Sequence, residues 1–183
     1  INKKFGAVGA NIDNISIDEL DYLLESGSDR IGALDFQISS TDYISRSSTN
    51  ATLEELLASA TKVEAGIPLT PELDLALQHG SPIGGARPKA LIQDLDKKYI
   101  AKFSSTSDTY SVIKAEFIAM RLAEIAGLNV AHVELKKASN KDVLLIERFD
   151  RIYSKMGWER KCIVSALTLF ELDEMMGRYA SYE

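Results

Sequence analysis

The chain has 183 residues, of which 45% are hydrophobic and 26% charged, as expected for one globular domain or two small subdomains. Its net charge of −6 argues against a surface that coats nucleic acid, because such a surface carries excess positive charge. The single cysteine, Cys162, excludes an intrachain disulfide and a cysteine zinc site, so we expect a reducing, cytoplasmic setting. No apolar run reaches the roughly 18 residues of a membrane-spanning helix. We therefore expect neither membrane association nor direct nucleic-acid binding.

The first 78 residues predict helices and one strand that carry no chemistry of their own. Residues 31–39 alternate polar and apolar side chains, as a half-buried strand does. Thr52 and Glu55 have the spacing of a capping box at the start of a helix. Apolar residues recur at helical spacing in three segments: residues 15–27, 53–66 and 68–80.

A turn of small residues at 79–86 leads into two predicted strands, over residues 89–95 and 98–104. The paired glycines of this turn would let backbone N–H groups approach an anion, and Lys102 on the second strand would supply positive charge. This pattern is typical of half of a kinase-type ATP site. A glycine pair between apolar segments is also typical of a tight hairpin without a ligand, and this alternative stays open.

A long helix is predicted between a cap at Ser107 or Asp108 and a stop at Gly127. Glu116 lies on the apolar arc of this helix, where an ionised carboxylate is costly unless it is paired. Lys102 is its natural partner, because a strand lysine held by a helix glutamate orients the ATP phosphates in protein kinases. Alternatively, Glu116 reaches solvent at the edge of the helix.

Two further strands are predicted over residues 129–138 and 143–151, and the second changes abruptly from apolar to charged at Glu147. A buried strand that opens into a polar segment suits a hinge between two lobes, where backbone groups contact an adenine edge. A strand that simply ends in a solvated charge cluster is the alternative. From Cys162 onward the pattern predicts an apolar helix that needs a partner surface.

Four segments together resemble one family. HGSPIGGARPKA, YIAKF, AEFIAMRLAEIAGL and VLLIERFDR occur in this order, and the chain resembles HipA-like serine/threonine kinases, the toxins of bacterial toxin–antitoxin systems. The resemblance covers about residues 30–183. It implies an α+β fold, with a kinase-like N-lobe of about five antiparallel strands and one long helix. The implied divisions are an N-terminal subdomain (1–78), the N-lobe with its hinge (79–151) and the start of a helical C-lobe (152–183).

The resemblance also implies roles for individual residues of the glycine-rich loop. The residues that would face the phosphates, with the last at the exit of the loop, are Gly84, Gly85, Ala86, Arg87 and Lys89. Ser81 is the expected regulatory phosphosite, because a phosphate there would repel the ATP phosphates and switch activity off.

The remaining implied ATP contacts lie on the strands and the long helix. Lys102 would contact the phosphates with the support of Glu116, whereas Glu147 and Phe149 would lie at the adenine-binding hinge. ATP and Mg²⁺ are the implied cofactors. By family analogy, the implied partners are an antitoxin and a protein substrate such as an aminoacyl-tRNA synthetase.

A kinase also needs an Asp that accepts the substrate proton, an Asn and an Asp that bind Mg²⁺. Neither His79 nor His132 begins an H-x-D motif, and no DFG-like Asp follows residue 149. The chain begins with Ile1 and ends within a helical pattern, so we expect a fragment of a longer protein. The catalytic residues and metal ligands would then lie in the rest of the C-lobe, and the fragment alone would be inactive.

Two other functions remain open from the sequence. A non-catalytic module could use the same sheet to bind a partner protein instead of ATP. A metabolic kinase for small molecules would share the ATP cradle and differ only in its other lobe. Contact between Lys102 and Glu116 would favour nucleotide binding, whereas a solvent-facing Glu116 would weaken it.

Overall fold

The computed structural model describes residues 18–46, 52–64, 67, 69–70, 87–173 and 175–179. The glycine-rich segment 79–86 and most of the predicted helix over 68–80 lie outside these residues. The described helices are α1 (Glu19–Glu25), α2 (Leu53–Glu64), α3 (Val112–Ile125) and α4 (Ala166–Leu169), with a 3₁₀ turn at Gly177–Tyr179. The described strands are β1 (Lys89–Asp94), β2 (Lys97–Phe103), β3 (Val133–Ala138), β4 (Lys141–Glu147), β5 (Arg151–Ser154) and β6 (Gly157–Arg160).

The fold is α+β, and its centre is an antiparallel sheet with the strand order β1-β2-β4-β3. The expected sheet of about five strands is corrected to four, because the predicted strand over 31–39 does not form. Strands β5 and β6 make a separate two-stranded hairpin, which the sequence analysis did not predict. The hairpin turns at Lys155 and Met156, and Gly157, the first residue of β6, has a φ of 105° that suits a residue without a Cβ atom.

One face of the sheet is covered by α2. Thr52 and Glu55 begin this helix with the predicted capping box: the Glu55 N–H donates to Thr52 Oγ1 at 3.2 Å, and the Thr52 N–H donates to Glu55 Oε2 at 2.8 Å. The core on this face consists of buried side chains from α2 and all four strands: Leu56, Leu57, Ala60, Ala90, Tyr99, Ala101, Phe103, Ala138, Val143 and Leu145.

The opposite face packs against α3, mainly over β3 and β4. Ile113, Val133 and Leu144 form its buried centre, with Phe117 and Met120 of the helix beside them. Because α3 covers only this half of the sheet, β1 and β2 are left with half-buried residues on the same face.

Residues 31–39 form no strand, and side chains take the place of a strand partner there. Gly32 has a φ of 74° and donates its N–H to Asp150 Oδ2 at 2.8 Å. Arg46 Nη2 donates to the Phe36 carbonyl at 2.6 Å. Backbone groups that are already satisfied by side chains do not need a neighbouring strand, so the alternating pattern does not lead to a ladder.

Helix α3 begins at Val112 after an N-cap at Ser111, so the predicted cap at Ser107 or Asp108 is wrong. The Asp108 carboxylate instead accepts two hydrogen bonds from Arg87 and one from the Ser105 N–H. A charged guanidinium is a stronger donor than a helix N–H, and it takes the oxygens that a cap would use.

The prediction of a long helix after Cys162 is also wrong within the described residues. Helix α4 has only four residues, and its N-cap Ser165 accepts from the Thr168 N–H at 3.1 Å. Leu169 and Phe170 are 67% and 71% exposed, so packing does not stabilise a longer helix here. In the described part of the chain, no helix has both the length and the apolar character needed to cross a membrane.

Candidate functional site

The face of the sheet that carries α3 has a half-buried floor on β1 and β2. Residues that lie opposite each other in an antiparallel pair project from the same face. Lys89 lies opposite Lys102, and Leu91 lies opposite Ile100. The floor therefore has two lysines at one end and two aliphatic side chains beside them. This arrangement could receive a ligand with an anionic end and a flat apolar end.

Lys102 and Glu116 meet beside this floor. Lys102 Nζ donates to Glu116 Oε1 at 2.5 Å, and their side chains are 26% and 30% exposed. The predicted pairing of these residues is confirmed. The lysine is thus held by α3 and is still open to solvent, so it retains donor capacity for a ligand.

Lys89 brings a second cation to the same end of the floor. Burial lowers the pKa of Lys89, as does the neighbouring charge of Lys102, whereas Glu116 acts in the opposite direction. The two ammonium groups repel each other, and an anion such as a polyphosphate would relieve this repulsion.

Arg87, at the exit of the glycine-rich segment, pairs with the turn before α3. Arg87 Nη1 lies 2.8 Å from Asp108 Oδ1 and 2.7 Å from Oδ2. This contact raises the pKa of Arg87 and lowers that of Asp108. The ion pair connects the start of β1 to the segment that leads into the helix of Glu116. Four of the predicted loop residues lie outside the described residues: Ser81, Gly84, Gly85 and Ala86.

Glu147 and Phe149 are not brought together with the lysines. Glu147 lies opposite Tyr99 in the register, so its side chain is on the α2 face of the sheet, where it accepts from Lys97 Nζ at 2.7 Å. Phe149 follows the strand and is 65% exposed. The side chain of Glu147 is therefore on the face opposite the floor.

Beside this segment lies a group of charged residues that the sequence analysis missed. We call Asp29, Arg148, Asp150 and Arg151 the buried ion cluster. Arg148 binds Asp150 through two parallel hydrogen bonds, from Nε at 2.9 Å and from Nη2 at 2.7 Å. Arg151 Nη1 donates to the same carboxylate at 2.7 Å. The side chains of Arg148, Asp150 and Arg151 are only 1%, 3% and 1% exposed.

The buried ion cluster also binds the backbone of residues 29–32. Arg148 Nη2 donates to the Arg30 carbonyl at 2.9 Å, and Arg151 Nη1 donates to the Gly32 carbonyl at 2.9 Å. Arg151 Nε donates to Asp29 Oδ1 at 2.9 Å. An N-terminal segment is thereby fixed against the end of β4.

Burial raises the pKa of the acids in this cluster, but their cationic neighbours outweigh it. For Asp150, hydrogen bonding and charge from Arg148, the Gly32 N–H and Arg151 hold the pKa below its usual value. For Asp29, Arg148, Lys98 and Arg151 have the same net effect. Both carboxylates are therefore ionised at neutral pH. In the sequence, the signal for this cluster was an aspartate between two arginines in Arg148-Phe149-Asp150-Arg151, because a guanidinium can bind a carboxylate through two parallel hydrogen bonds.

The hairpin borders the same end of the floor. Lys98 projects from the floor face of β2, donates to Asp29 Oδ2 at 2.7 Å and lies 5.0 Å from the centroid of the Trp158 ring. The floor is thus bounded by α3 on one side and by residue 29 and β6 at its other end. Within the described ranges, no group of three or more His, Cys, Asp or Glu side chains could hold a metal ion.

The family model described as the HipA-like C-terminal domain matches residues 81–183. The chain belongs to this HipA-like family. The matched residues include both lysines of the floor, Glu116 and three members of the buried ion cluster, so the family match spans most of the geometry described above. The predicted family is confirmed.

A solved structure supports the HipA-like fold. The HipA-like chain is similar to a chain in the complex of the Shewanella oneidensis MR-1 toxin–antitoxin system HipA, HipB and its operator DNA, with a TM-score of 0.56 and 24% sequence identity. The match covers 81% of the HipA-like chain and 36% of that chain. The HipA-like chain thus spans about a third of the length of the protein that it matches. A comparison with curated proteins found no match.

Proposed function

We infer that the HipA-like chain is the ATP-binding part of a serine/threonine protein kinase, the toxin of a toxin–antitoxin system. The observation that carries this proposal is the contact of Lys102 with Glu116 at 2.5 Å beside a half-buried floor. A strand lysine paired with a helix glutamate is the element that orients the ATP phosphates in protein kinases. The membership in the HipA-like family supports the same class of reaction.

In this proposal the phosphates lie at the lysine end of the floor. Lys102 and Lys89 would neutralise them, and Glu116 would keep Lys102 in place as a rigid point charge. The adenine would lie over Leu91 and Ile100, which are half-buried on the same face. The backbone after Glu147 would offer hydrogen bonds to the edge of the base.

The proposal assigns the chemical step to residues beyond these 183. A longer protein would supply the Asp that accepts the substrate proton and the Asp and Asn that bind Mg²⁺, which neutralises charge on the transferred phosphoryl group. A protein Ser or Thr would receive the γ-phosphate, and Ser81 would be an autophosphorylation site. An aminoacyl-tRNA synthetase is the proposed substrate, and an antitoxin is the proposed partner, as in the toxin–antitoxin complex that the fold resembles.

The test compares the full-length protein with its Lys102→Ala variant. We expect ATP-dependent phosphorylation of Ser81 or of a second protein, detected by mass spectrometry, and loss of it in the variant. Glu124→Gln, which removes one charge from the exposed Arg121–Glu124 pair on the same helix, is the matched control and should behave like the wild type. Absence of ATP binding in the wild type would refute the proposal and favour a non-catalytic interaction module.

A further inference from the structure

We propose that Arg148, Asp150 and Arg151 are positioning residues, which fix the backbone of Glu147–Phe149 for the base of the nucleotide by anchoring it to residues 29–32. This inference rests on the proposed function, because it assigns the recognition of the base to the end of the floor away from Lys102. It concerns side chains that would not touch ATP.

The side chains of residues 148–150 alternate in direction. Arg148 and Asp150 are buried, whereas Phe149 between them is 65% exposed. The chain thus alternates between members of the buried ion cluster and a residue that faces outward. The Arg148 N–H donates to the Lys98 carbonyl at 2.8 Å, which continues the β2–β4 pairing by one more bond. The segment is therefore fixed by the sheet on one side and by its own side chains on the other.

The charged groups of Arg148, Asp150 and Arg151 are hydrogen-bonded within the protein. The Asp150 carboxylate accepts from Arg148, Arg151 and the Gly32 N–H. The two guanidinium groups donate in turn to the carbonyls of Asp29, Arg30 and Gly32. A buried network in which each member is bonded is rigid, since any displacement leaves a buried charge without its partner.

The buried ion cluster lies at the end of the floor away from Lys102. Lys98 joins the floor to Asp29 of the cluster. Asp29 is the first residue of the anchored segment, which ends at Gly32. Lys98 and Lys102 project from the same face of β2 at opposite ends, four residues apart, or about 13 Å along the strand. This spacing suits a nucleotide with its phosphates at Lys102 and its base at the segment held by the cluster.

The decisive variant is Arg148→Lys, which keeps the positive charge and removes the planar fork that binds Asp150 through two bonds. Binding of ATP and of inorganic tripolyphosphate to the full-length protein is measured by calorimetry. Because tripolyphosphate lacks a base, its affinity reports only the lysine end of the floor. We expect ATP affinity to fall roughly tenfold in Arg148→Lys, with tripolyphosphate affinity changed by less than about twofold.

Asp29→Asn is the second variant, in case Arg148→Lys does not fold. Asp29 lies at the rim of the cluster, with 25% of its side chain exposed, and asparagine keeps its shape. The same selective loss for ATP, of roughly threefold, is expected. Arg121→Lys, which alters an exposed arginine of α3 in the same conservative way, is the control for both variants and should leave both affinities unchanged.

The possible outcomes separate the two proposals. If the wild type binds ATP and the folded variants bind it with the same affinity, the positioning role alone is overturned. An equal loss of ATP and tripolyphosphate affinity would also overturn it, because it would indicate a general structural effect. A wild type that binds neither ligand would overturn the proposed function together with this inference.

Discussion

Two groups of ion pairs lie at opposite ends of one face of the sheet and differ in almost every physical respect. Lys102 and Glu116 form a single pair with about a quarter of each side chain exposed. In the buried ion cluster, Arg148, Asp150 and Arg151 are almost inaccessible to solvent. The first pair retains hydrogen-bonding capacity, whereas the second group uses its capacity within the protein.

This difference separates charge that can bind a ligand from charge that holds the fold. A partly exposed lysine remains hydrated and can exchange water for a phosphate at little cost. A buried guanidinium has already lost its hydration, so its partners inside the protein must stay in place. The same residue types thus lead to different expectations for stability and for binding, and four measurements test this comparison.

Asp150→Ala should have the largest effect on stability. It leaves two buried guanidinium groups without their shared carboxylate and the Gly32 N–H without its acceptor. We expect the free energy of unfolding to fall by about 3–5 kcal/mol, measured by urea denaturation with circular dichroism. A loss below about 1 kcal/mol would mean that the cluster is not the structural element described here.

Acidification should weaken the same cluster. Asp29 and Asp150 have pKa values below their usual range in the folded protein, so the unfolded chain binds protons more readily than the folded chain. Their contribution to stability is complete above about pH 4 and is lost as the pH falls through the lowered pKa values. Urea titrations between about pH 3 and pH 6 should show this decline.

The acid-induced decline has an internal control. A folded variant that lacks one of the two carboxylates, Asp29→Asn, should show a shallower dependence of stability on pH over the same range. An unchanged slope would indicate that carboxylates elsewhere in the chain control the acid response, and the contrast between the two ends of the sheet would lose its electrostatic basis.

Lys102→Ala should show the opposite balance. Because the pair with Glu116 is partly exposed, its removal should change the free energy of unfolding by about 1 kcal/mol or less. ATP affinity, measured by calorimetry on the full-length protein, should fall at least roughly tenfold, since one charged phosphate contact is lost. A large loss of stability would show that this pair, like the cluster, mainly holds the fold.

Glu124→Gln sets the lower limit of the comparison. Arg121 and Glu124 form an exposed pair on α3, with 44% and 50% of their side chains accessible. We expect a change in the free energy of unfolding below about 0.5 kcal/mol, because such pairs are screened by solvent and salt. Thermal unfolding at low and high salt would measure it, and a larger salt-sensitive effect would contradict this ranking.

The four strands of the sheet and the long helix could be predicted because their signals are local. Alternation over 89–95 and 98–104 matches β1 and β2 within a residue or so at each end. The contact of Lys102 with Glu116 could also be predicted, since a carboxylate on the apolar arc of a helix needs a cation nearby. In each case the deciding information lies within the segment or directly beside it.

The contact of Asp29 with the other members of the buried ion cluster could not be predicted in this way, because Asp29 is far from residues 148–151 in the sequence. A polar segment after a buried strand is also the pattern of a solvated strand end, and nothing near Arg148 identifies Asp29 as its partner. The same contacts explain the failed strand at 31–39, whose backbone binds Asp150 and Arg151 instead of a neighbouring strand. By contrast, a glycine between two aromatic residues, Tyr153 and Trp158, was a local signal for a turn between β5 and β6.

The contact between Arg151 and the Gly32 carbonyl joins residues 119 positions apart. During synthesis on a ribosome, Gly32 therefore emerges well before its partner. At about 5–20 residues per second, the interval is roughly 6 to 24 seconds. Throughout this time the carbonyls of residues 29–32 are hydrated, and Asp29 lacks the two arginines that it binds in the folded protein, Arg148 and Arg151. The N-terminal segment must therefore wait for the end of the sheet, and its docking is a late step in the folding of the nascent chain.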